Sequence, residues 1–286
     1  IIINDSELNK YNDQMLFFKL GDFSFDNLSY LHGPYLPLHE KINNFDITNL
    51  YDKCVIVTHD INKFLEYYNN INKTYYLIVS FTDSNVPALH NKKKFIELLN
   101  SEHLIKCFTV NRSITHNKLY DFPITIWPWF KKYIGEMNID VLPERKKLCF
   151  GGCWSDTNPN ISYCKKRLSL RHMLKNKKSN FIDVLNITGG KDYIKLLLTY
   201  KYQISPKGNG VDCHRTWESL YLGCIPIILV NENNKIYEEL PVLIIDNYSN
   251  LTEQLLNKHY EKMQKRLFNL SIFKEMYWKD LMSVRE

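Results

Sequence analysis

Two glycines, two cations and two carboxylates stand close together in the stretch Ser205-Pro-Lys-Gly-Asn-Gly-Val-Asp-Cys-His-Arg-Thr-Trp-Glu218. Pro206, Gly208 and Gly210 make a loop that lets backbone approach a ligand. A helix that starts behind such a loop presents free N–H groups and the positive end of its dipole, which together bind anions. Arg215 is always charged and can hold a phosphate through two parallel hydrogen bonds. Lys207 and the backbone of Gly208, Asn209 and Gly210 add donors. Glu218 lies three residues after Arg215, on the same helix face, where a carboxylate can accept from the vicinal hydroxyls of a ribose. Cation for phosphate and carboxylate for sugar is the pattern of a nucleotide pocket. Trp217 points elsewhere on the helix and reads as core, and His214 reads as a surface side chain.

The neighbouring sequence supplies the elements that hold this stretch in place. Tyr202 to Ile204 suit a short strand ahead of the loop. Asp212 is a good N-cap, and Gly223 followed by Pro226 is a good helix stop. Ile225 to Val230 form a buried apolar strand. Upstream, Lys147 to Gly151 read as a strand that ends in Gly151-Gly152, a second turn where Gly152 can bring backbone donors to a ligand. Helices are expected at Ser162–Leu174, Tyr193–Tyr200, Leu251–Arg266 and Ser271–Leu281, and a strand at Val242–Ile245. In the first half, strands at Met15–Leu20, Lys53–Val57, Tyr75–Ser80 and Ile105–Val110 alternate with helices at Asn62–Tyr68 and Lys92–Leu99, and a shorter extended piece follows at Ile124–Trp127. This alternation predicts parallel sheets with helices on their faces. The polar, charge-rich passage from Lys131 to Lys147 predicts a domain break, giving an acceptor-side α/β domain over 1–143 and a nucleotide-binding α/β domain with terminal helices over 144–286. The fold class is therefore α/β, two Rossmann-like domains facing each other across a cleft, the GT-B-like arrangement.

Ser205, Pro206, Gly208, Asp212, Arg215, Trp217, Glu218, Gly223, Cys224, Ile225 and Pro226 together resemble the C-terminal signature of exostosin-like glycosyltransferases. In that family a proline–glycine loop precedes an Arg-x-x-Glu helix and a Gly-Cys-Ile-Pro turn. The resemblance implies a GT-B fold and transfer of a sugar from a nucleotide-diphosphate sugar, with a UDP-sugar as the usual donor. It also implies a role for Arg167, since members often carry an arginine on the helix after the first strand of the second domain. The passage from His116 to Ile124 is similar to a basic stretch that ends in a Pro-Ile-Gly turn in the family. Here Thr125 stands where that glycine is expected.

Glycosyl transfer needs charge stabilisation on the departing diphosphate and, for inversion, a base for the acceptor hydroxyl. Arg215 leads for the first task. For the second, Thr58-His59-Asp60 and Thr82-Asp83-Ser84-Asn85 both follow apolar strands, where active-site loops are expected. Asp83 is the first choice as base, with His59 and Asp60 beside it; Asn111-Arg112-Ser113 is a third rim cluster. No Asp-x-Asp motif occurs, so a metal is not required by the sequence, and no cofactor beyond the donor is expected.

The chain has 286 residues, 44% hydrophobic and 14% aromatic, which excludes a disordered protein. Its richness in Asn, Lys, Ile and Tyr is that of an AT-rich genome, such as a large DNA virus or a protist. Its net charge of +6 suits an anionic donor and also a nucleic-acid partner. Seven cysteines without a Cys-x-x-Cys pair read as core residues of a reducing compartment. No apolar run approaches the roughly 18 residues of a membrane span. A cytoplasmic location is expected, with a removed anchor or a lumenal origin left open because the chain begins at Ile1. The expected function is transfer of a sugar to a glycan or glycoconjugate hydroxyl, inverting and metal-independent. The alternatives are a DNA- or nucleobase-modifying glycosyltransferase and a non-catalytic sugar-nucleotide or glycan-binding protein.

Overall fold

The computed structural model describes residues 20–26, 42–80, 82, 85–137, 139, 142–154, 162–177, 179–186, 189–231 and 233–283. They form two compact units, one of residues 20–125 with 271–283 and the other of residues 126–270.

In the first unit, strands β1 (Phe23–Ser24), β2 (Asn43–Asn44), β3 (Cys54–Thr58), β4 (Tyr75–Val79), β5 (Leu104–Thr109) and β6 (Leu119–Asp121) form a sheet in the order β2-β1-β3-β4-β5-β6. Every pairing is parallel. The central strands Cys-Val-Ile-Val-Thr and Tyr-Tyr-Leu-Ile-Val are buried along their whole length, as a parallel sheet covered on both faces requires. Helices α1 (Ile61–Tyr67) and α2 (Lys92–Asn100) cross between them. Phe95, Leu98 and Leu99 are the buried face of α2, at helical spacing.

The second unit begins with α3 (Pro128–Glu136), followed by β7 (Lys147–Gly151), α4 (Ser162–Asn176), β8 (Ile182–Val184), α5 (Gly190–Thr199), β9 (Tyr200–Ile204), α6 (His214–Tyr221), β10 (Ile225–Leu229), β11 (Leu243–Ile245) and α7 (Glu253–Gln264). Its sheet runs β11-β10-β9-β7-β8, again all parallel. Tyr202, Ile204, Ile225 and Ile227 fill the core together with Leu170, Leu174 and Leu256.

Two parallel sheets with crossing helices bear out the α/β class. The division of the chain differs from the expected break at 143/144. Residues 126–143 group with the second unit, where Phe130 of α3 packs on Tyr193 and Tyr221 at 6.2 and 6.4 Å between ring centroids. The last helix, α8 (Glu275–Ser283), groups with the first unit, because Trp278 lies 4.7 Å from Phe122 and 6.0 Å from Phe108. Of the extended piece expected at Ile124–Trp127, Ile126 makes a single bridge and Trp127 is extended, while the strand there is β6, a few residues earlier. The strand expected at Met15–Leu20 lies, apart from Leu20, outside the described residues. Thr125 has φ 58°, the left-handed conformation that the expected glycine would have supplied.

Candidate functional site

Parallel α/β sheets bind ligands beyond the C-terminal strand ends, at the point where the strand order reverses. In the second unit the reversal falls between β7 and β9, since β8 lies outside β7 while β10 and β11 continue beyond β9. The chain leaves β7 through Gly152, at φ 91°, where a Cβ would come within 2.5 Å of the Leu185 carbonyl oxygen. No other residue fits that turn. It leaves β9 through Ser205, Pro206 and Lys207.

The β9 loop is fixed from below. The Arg167 guanidinium, on α4, donates from Nε to the Lys207 carbonyl at 3.0 Å and from Nη2 to the Pro206 carbonyl at 3.4 Å. Gly208 leaves room for it: a Cβ there would stand 2.9 Å from Arg167 Nη2. Ser205 Oγ meets Thr216 Oγ1 at 2.9 Å, joining the loop to α6. A cavity of about 180 Å³ opens beside this loop, walled by Leu170, Pro206, Val211, Ile228 and Val230 and reached by Lys166, Arg167, Lys207 and Asn231. Tyr248 also lines it, with a buried hydroxyl that has no hydrogen-bond partner among the described residues.

The expected residues divide by role. Arg167, Lys207 and Gly208 come together at the cavity and loop, Asn209 and Gly210 continue the loop, and Gly152 shapes the neighbouring turn. Arg215 sits in the first turn of α6, half-buried, its guanidinium 4.8 Å over the Tyr193 ring. Asp212 is not the helix cap. Cys213 holds that position without a side-chain bond. The Asp212 carboxylate turns inward, accepting from Trp217 Nε1 at 2.8 Å and from the Tyr237 hydroxyl at 2.6 Å. A buried indole N–H and a buried phenol need an acceptor, and this need outweighs the cap. Trp217 is buried as expected. His214 is half-buried rather than free on the surface, its ring 5.1 Å edge-on from Trp127.

Glu218 is only 7% exposed. Burial pushes its carboxyl up to about 7, against the pull of Arg215 and of the Trp127 main-chain N–H, which bonds to it. The residue expected at a ribose is thus a carboxylate engaged by protein groups, beside the arginine it shares a face with.

The candidate bases lie in the first unit, where the strand order reverses between β1 and β3. Asp60 caps α1, accepting from the Lys63 N–H at 3.2 Å. Asp83 lies outside the described residues. In the rim cluster, Arg112 is held by a short two-point ion pair with Asp121, at 2.6 and 3.1 Å. His59 is different. Its Nδ1 lies 2.9 Å from Oδ2 of Asp26, a carboxylate whose side chain is 5% exposed, while the imidazole is 30% exposed. The same oxygen accepts from the His59 main-chain N–H at 2.7 Å and from Thr58 Oγ1 at 2.8 Å. Sequence reasoning missed Asp26 and Tyr248: what marks them is a partner or cavity assembled by the fold.

Among the described residues, no group of three or more His, Cys, Asp or Glu side chains converges as a metal site, and no helix is long and apolar enough to cross a membrane.

No family model matches the chain, and no curated protein matches it. Among solved structures it is similar to the crystal structure of a GtfA/B complex, with 10% identity over 82% of this chain and 58% of that one, at a TM-score of 0.40. The chain therefore spans less than two thirds of that neighbour's length.

Proposed function

We propose that this protein is a glycosyltransferase of the GT-B-like, exostosin-like kind, whose second unit binds a nucleotide-diphosphate sugar. The observation that carries the reading is the convergence at the end of β9: a clamped glycine loop, the start of α6 with Arg215, and an apolar cavity holding one unsatisfied hydroxyl. The diphosphate takes the loop and helix N–H groups, Arg215 and Lys207. The heterocyclic base enters the cavity between Leu170, Pro206 and Val230, and its edge supplies the partner that Tyr248 lacks. Glu218 acts through Arg215, holding the guanidinium in place.

In the reaction an acceptor hydroxyl of a glycan or glycoconjugate attacks the anomeric carbon. The new C–O bond forms as the bond to the diphosphate breaks, and the electron pair leaves with the diphosphate. Arg215 and the α6 N-terminus stabilise that charge as it develops. The hydroxyl proton passes to a base, for which His59 is the best-equipped described group.

UDP is the default nucleotide. Thermal-shift measurements with UDP, GDP and their sugars test the reading. A ligand at 100 times its Kd stabilises the folded protein by about 2.7 kcal/mol, so the melting temperature rises measurably with the correct nucleotide. A melting temperature unmoved by millimolar amounts of all of them overturns the assignment.

A further inference from the structure

The cavity beside the β9 loop has apolar walls and three uncharged polar side chains, Ser205, Asn231 and Tyr248. Two of the three are engaged. Ser205 Oγ meets Thr216 Oγ1 at 2.9 Å. The Asn231 amide closes its own turn, donating from Nδ2 to the Leu229 carbonyl at 3.0 Å and accepting from the Asn233 N–H at 2.8 Å. Tyr248 is the third. It is 6% exposed, and its hydroxyl has no hydrogen-bond partner among the described residues. A tight turn just past β11, Tyr248–Asn250, holds it in place, capped by Asn247, which accepts from the Ser249 N–H at 2.9 Å. Burial pushes the phenol above its ordinary value, with Cys213 adding to the rise and Arg167 opposing it. The group is therefore a neutral hydroxyl beside the loop, able to donate and to accept. A buried hydroxyl left unpaired costs stability, so a partner that arrives with a ligand gains what the free protein forgoes.

The walls and the volume limit what that ligand group is. A sugar ring carries hydroxyls around its whole rim, and most would lie unpaired against Leu170, Pro206, Ile228 and Val230. A heterocyclic base is apolar on both faces and polar only at its edge. The cavity offers about 180 Å³. An apolar cavity of roughly 150 Å³ takes up one benzene ring. The space thus matches one six-membered ring with its exocyclic groups and does not hold a second, fused ring. We propose that Tyr248 pairs with the edge of a one-ring base in this cavity, so that the site takes a pyrimidine nucleoside diphosphate in preference to a purine one.

That a nucleotide binds here rests on the transferase reading above; which base it carries is decided by the cavity. The diphosphate contacts are common to every nucleoside diphosphate and cancel in the comparison. The Tyr248 hydroxyl can donate to the carbonyl of a uracil or accept from the amino group of a cytosine. UDP and CDP are therefore one class for this site, and ADP and GDP the other. Few polar groups in an apolar pocket fix the orientation of a ligand, and in this cavity the role falls to a single hydroxyl.

The test is isothermal titration of the whole chain and of Tyr248→Phe with UDP, CDP, ADP and GDP, beside the melting temperature of each protein without nucleotide. Tyr248→Phe keeps the ring and removes only the unpaired oxygen, so its melting temperature should equal or exceed that of the unmodified protein. UDP and CDP should bind the unmodified protein about 10- to 100-fold more tightly than ADP and GDP, the scale on which an apolar pocket discriminates by size. Tyr248→Phe should weaken UDP and CDP by roughly 10-fold, the worth of one hydrogen bond, and leave ADP and GDP unchanged. Purine and pyrimidine nucleotides that bind the unmodified protein equally overturn the choice of base and leave the transferase reading standing. UDP and CDP held as tightly by Tyr248→Phe as by the unmodified protein overturn the role of the hydroxyl. So does a lower melting temperature with unchanged affinities, which makes the hydroxyl structural. A protein that binds none of the four overturns the transferase reading, and this inference with it.

Discussion

The two sheets of this protein each reverse their strand order once, and the chain places different chemistry at the two reversals. Between β7 and β9 it places glycines, a lysine and the start of a helix. Small residues and main-chain donors gather there, with a cavity at their side. Between β1 and β3 it places a buried aspartate against a histidine. The topology explains why something can bind at each point; the residues explain what. One reversal gathers glycines, a lysine and helix N–H groups, the other pairs a buried carboxylate with an imidazole.

The sharpest way to break this contrast is a pair of substitutions. On the transferase reading proposed above, with His59 as base, His59→Ala should lower transfer by about 10³ while leaving UDP affinity unchanged, because a base acts on the chemical step. Arg215→Ala should lower transfer by about 10²–10³, as loss of a charge-stabilising donor does, and should weaken UDP binding as well. Isothermal titration with UDP and initial rates with the UDP-sugar separate the two. Equal loss of UDP affinity in both variants would mean that the reversals do not divide the work in this way.

A smaller effect tests the geometry of the second reversal alone. Alanine at Gly152 meets both a φ of 91° and a carbonyl oxygen at 2.5 Å. It should destabilise the protein by about 2–3 kcal/mol in urea unfolding, the scale of a strained backbone residue. Gly135, near the end of α3, is the control. A Cβ there meets nothing within 4 Å, and Gly135→Ala should gain about 0.5 kcal/mol. If Gly152→Ala were as harmless, the tight exit from β7 would be misdescribed.

A dependence on pH comes from Glu218. Its carboxyl is raised from an ordinary 4.5 to about 7 in the folded protein. Between those values the folded state holds a proton that the unfolded state has released. Stability therefore falls as pH rises from 4.5 to 7 and levels off above. Glu218→Gln should flatten that part of the melting-temperature profile. An unchanged slope in the variant would show that Glu218 does not carry it.

Much of the second unit was legible from the residues. β7 matches its expected span, and β9, α6 and β10 were recognisable because a glycine loop, a Gly-Cys-Ile-Pro stop and an apolar run punctuate them strongly. The strands β1, β2, β6 and β8 were not, since two or three residues such as Asn43–Asn44 or Ile182–Val184 carry no period to read. α3, Pro128–Glu136, runs into the polar passage from Lys131 in which the domain break was expected. The site was legible in part. Lys207, Gly208 and Arg167 lie together at the β9 loop, where Arg167 donates to the loop's own carbonyls. Asp212 misled because a good capping residue was claimed by Trp217 and Tyr237, which local sequence cannot foresee. Asp26 was invisible for a related reason: its importance comes from the register of β1 on β3, a long-range pairing that gives no local sign.

The packing of Trp278 on Phe108 and Phe122 has a consequence for how the chain is made. The first unit is discontinuous, interrupted by all of 126–270 before α8 supplies its last layer. On the ribosome its sheet must wait, with those two rings uncovered, while the whole intervening unit is synthesised. The described residues of the second unit, 126–270, are contiguous and face no such delay. Synthesis is thus expected to pass through a stage in which the second unit is complete and the first is a nearly finished sheet with an aromatic seam open to chaperones. Comparing protease resistance of the 20–125 region in nascent chains whose α8 is still inside the ribosome and in released chains would show whether that seam closes only once α8 is free.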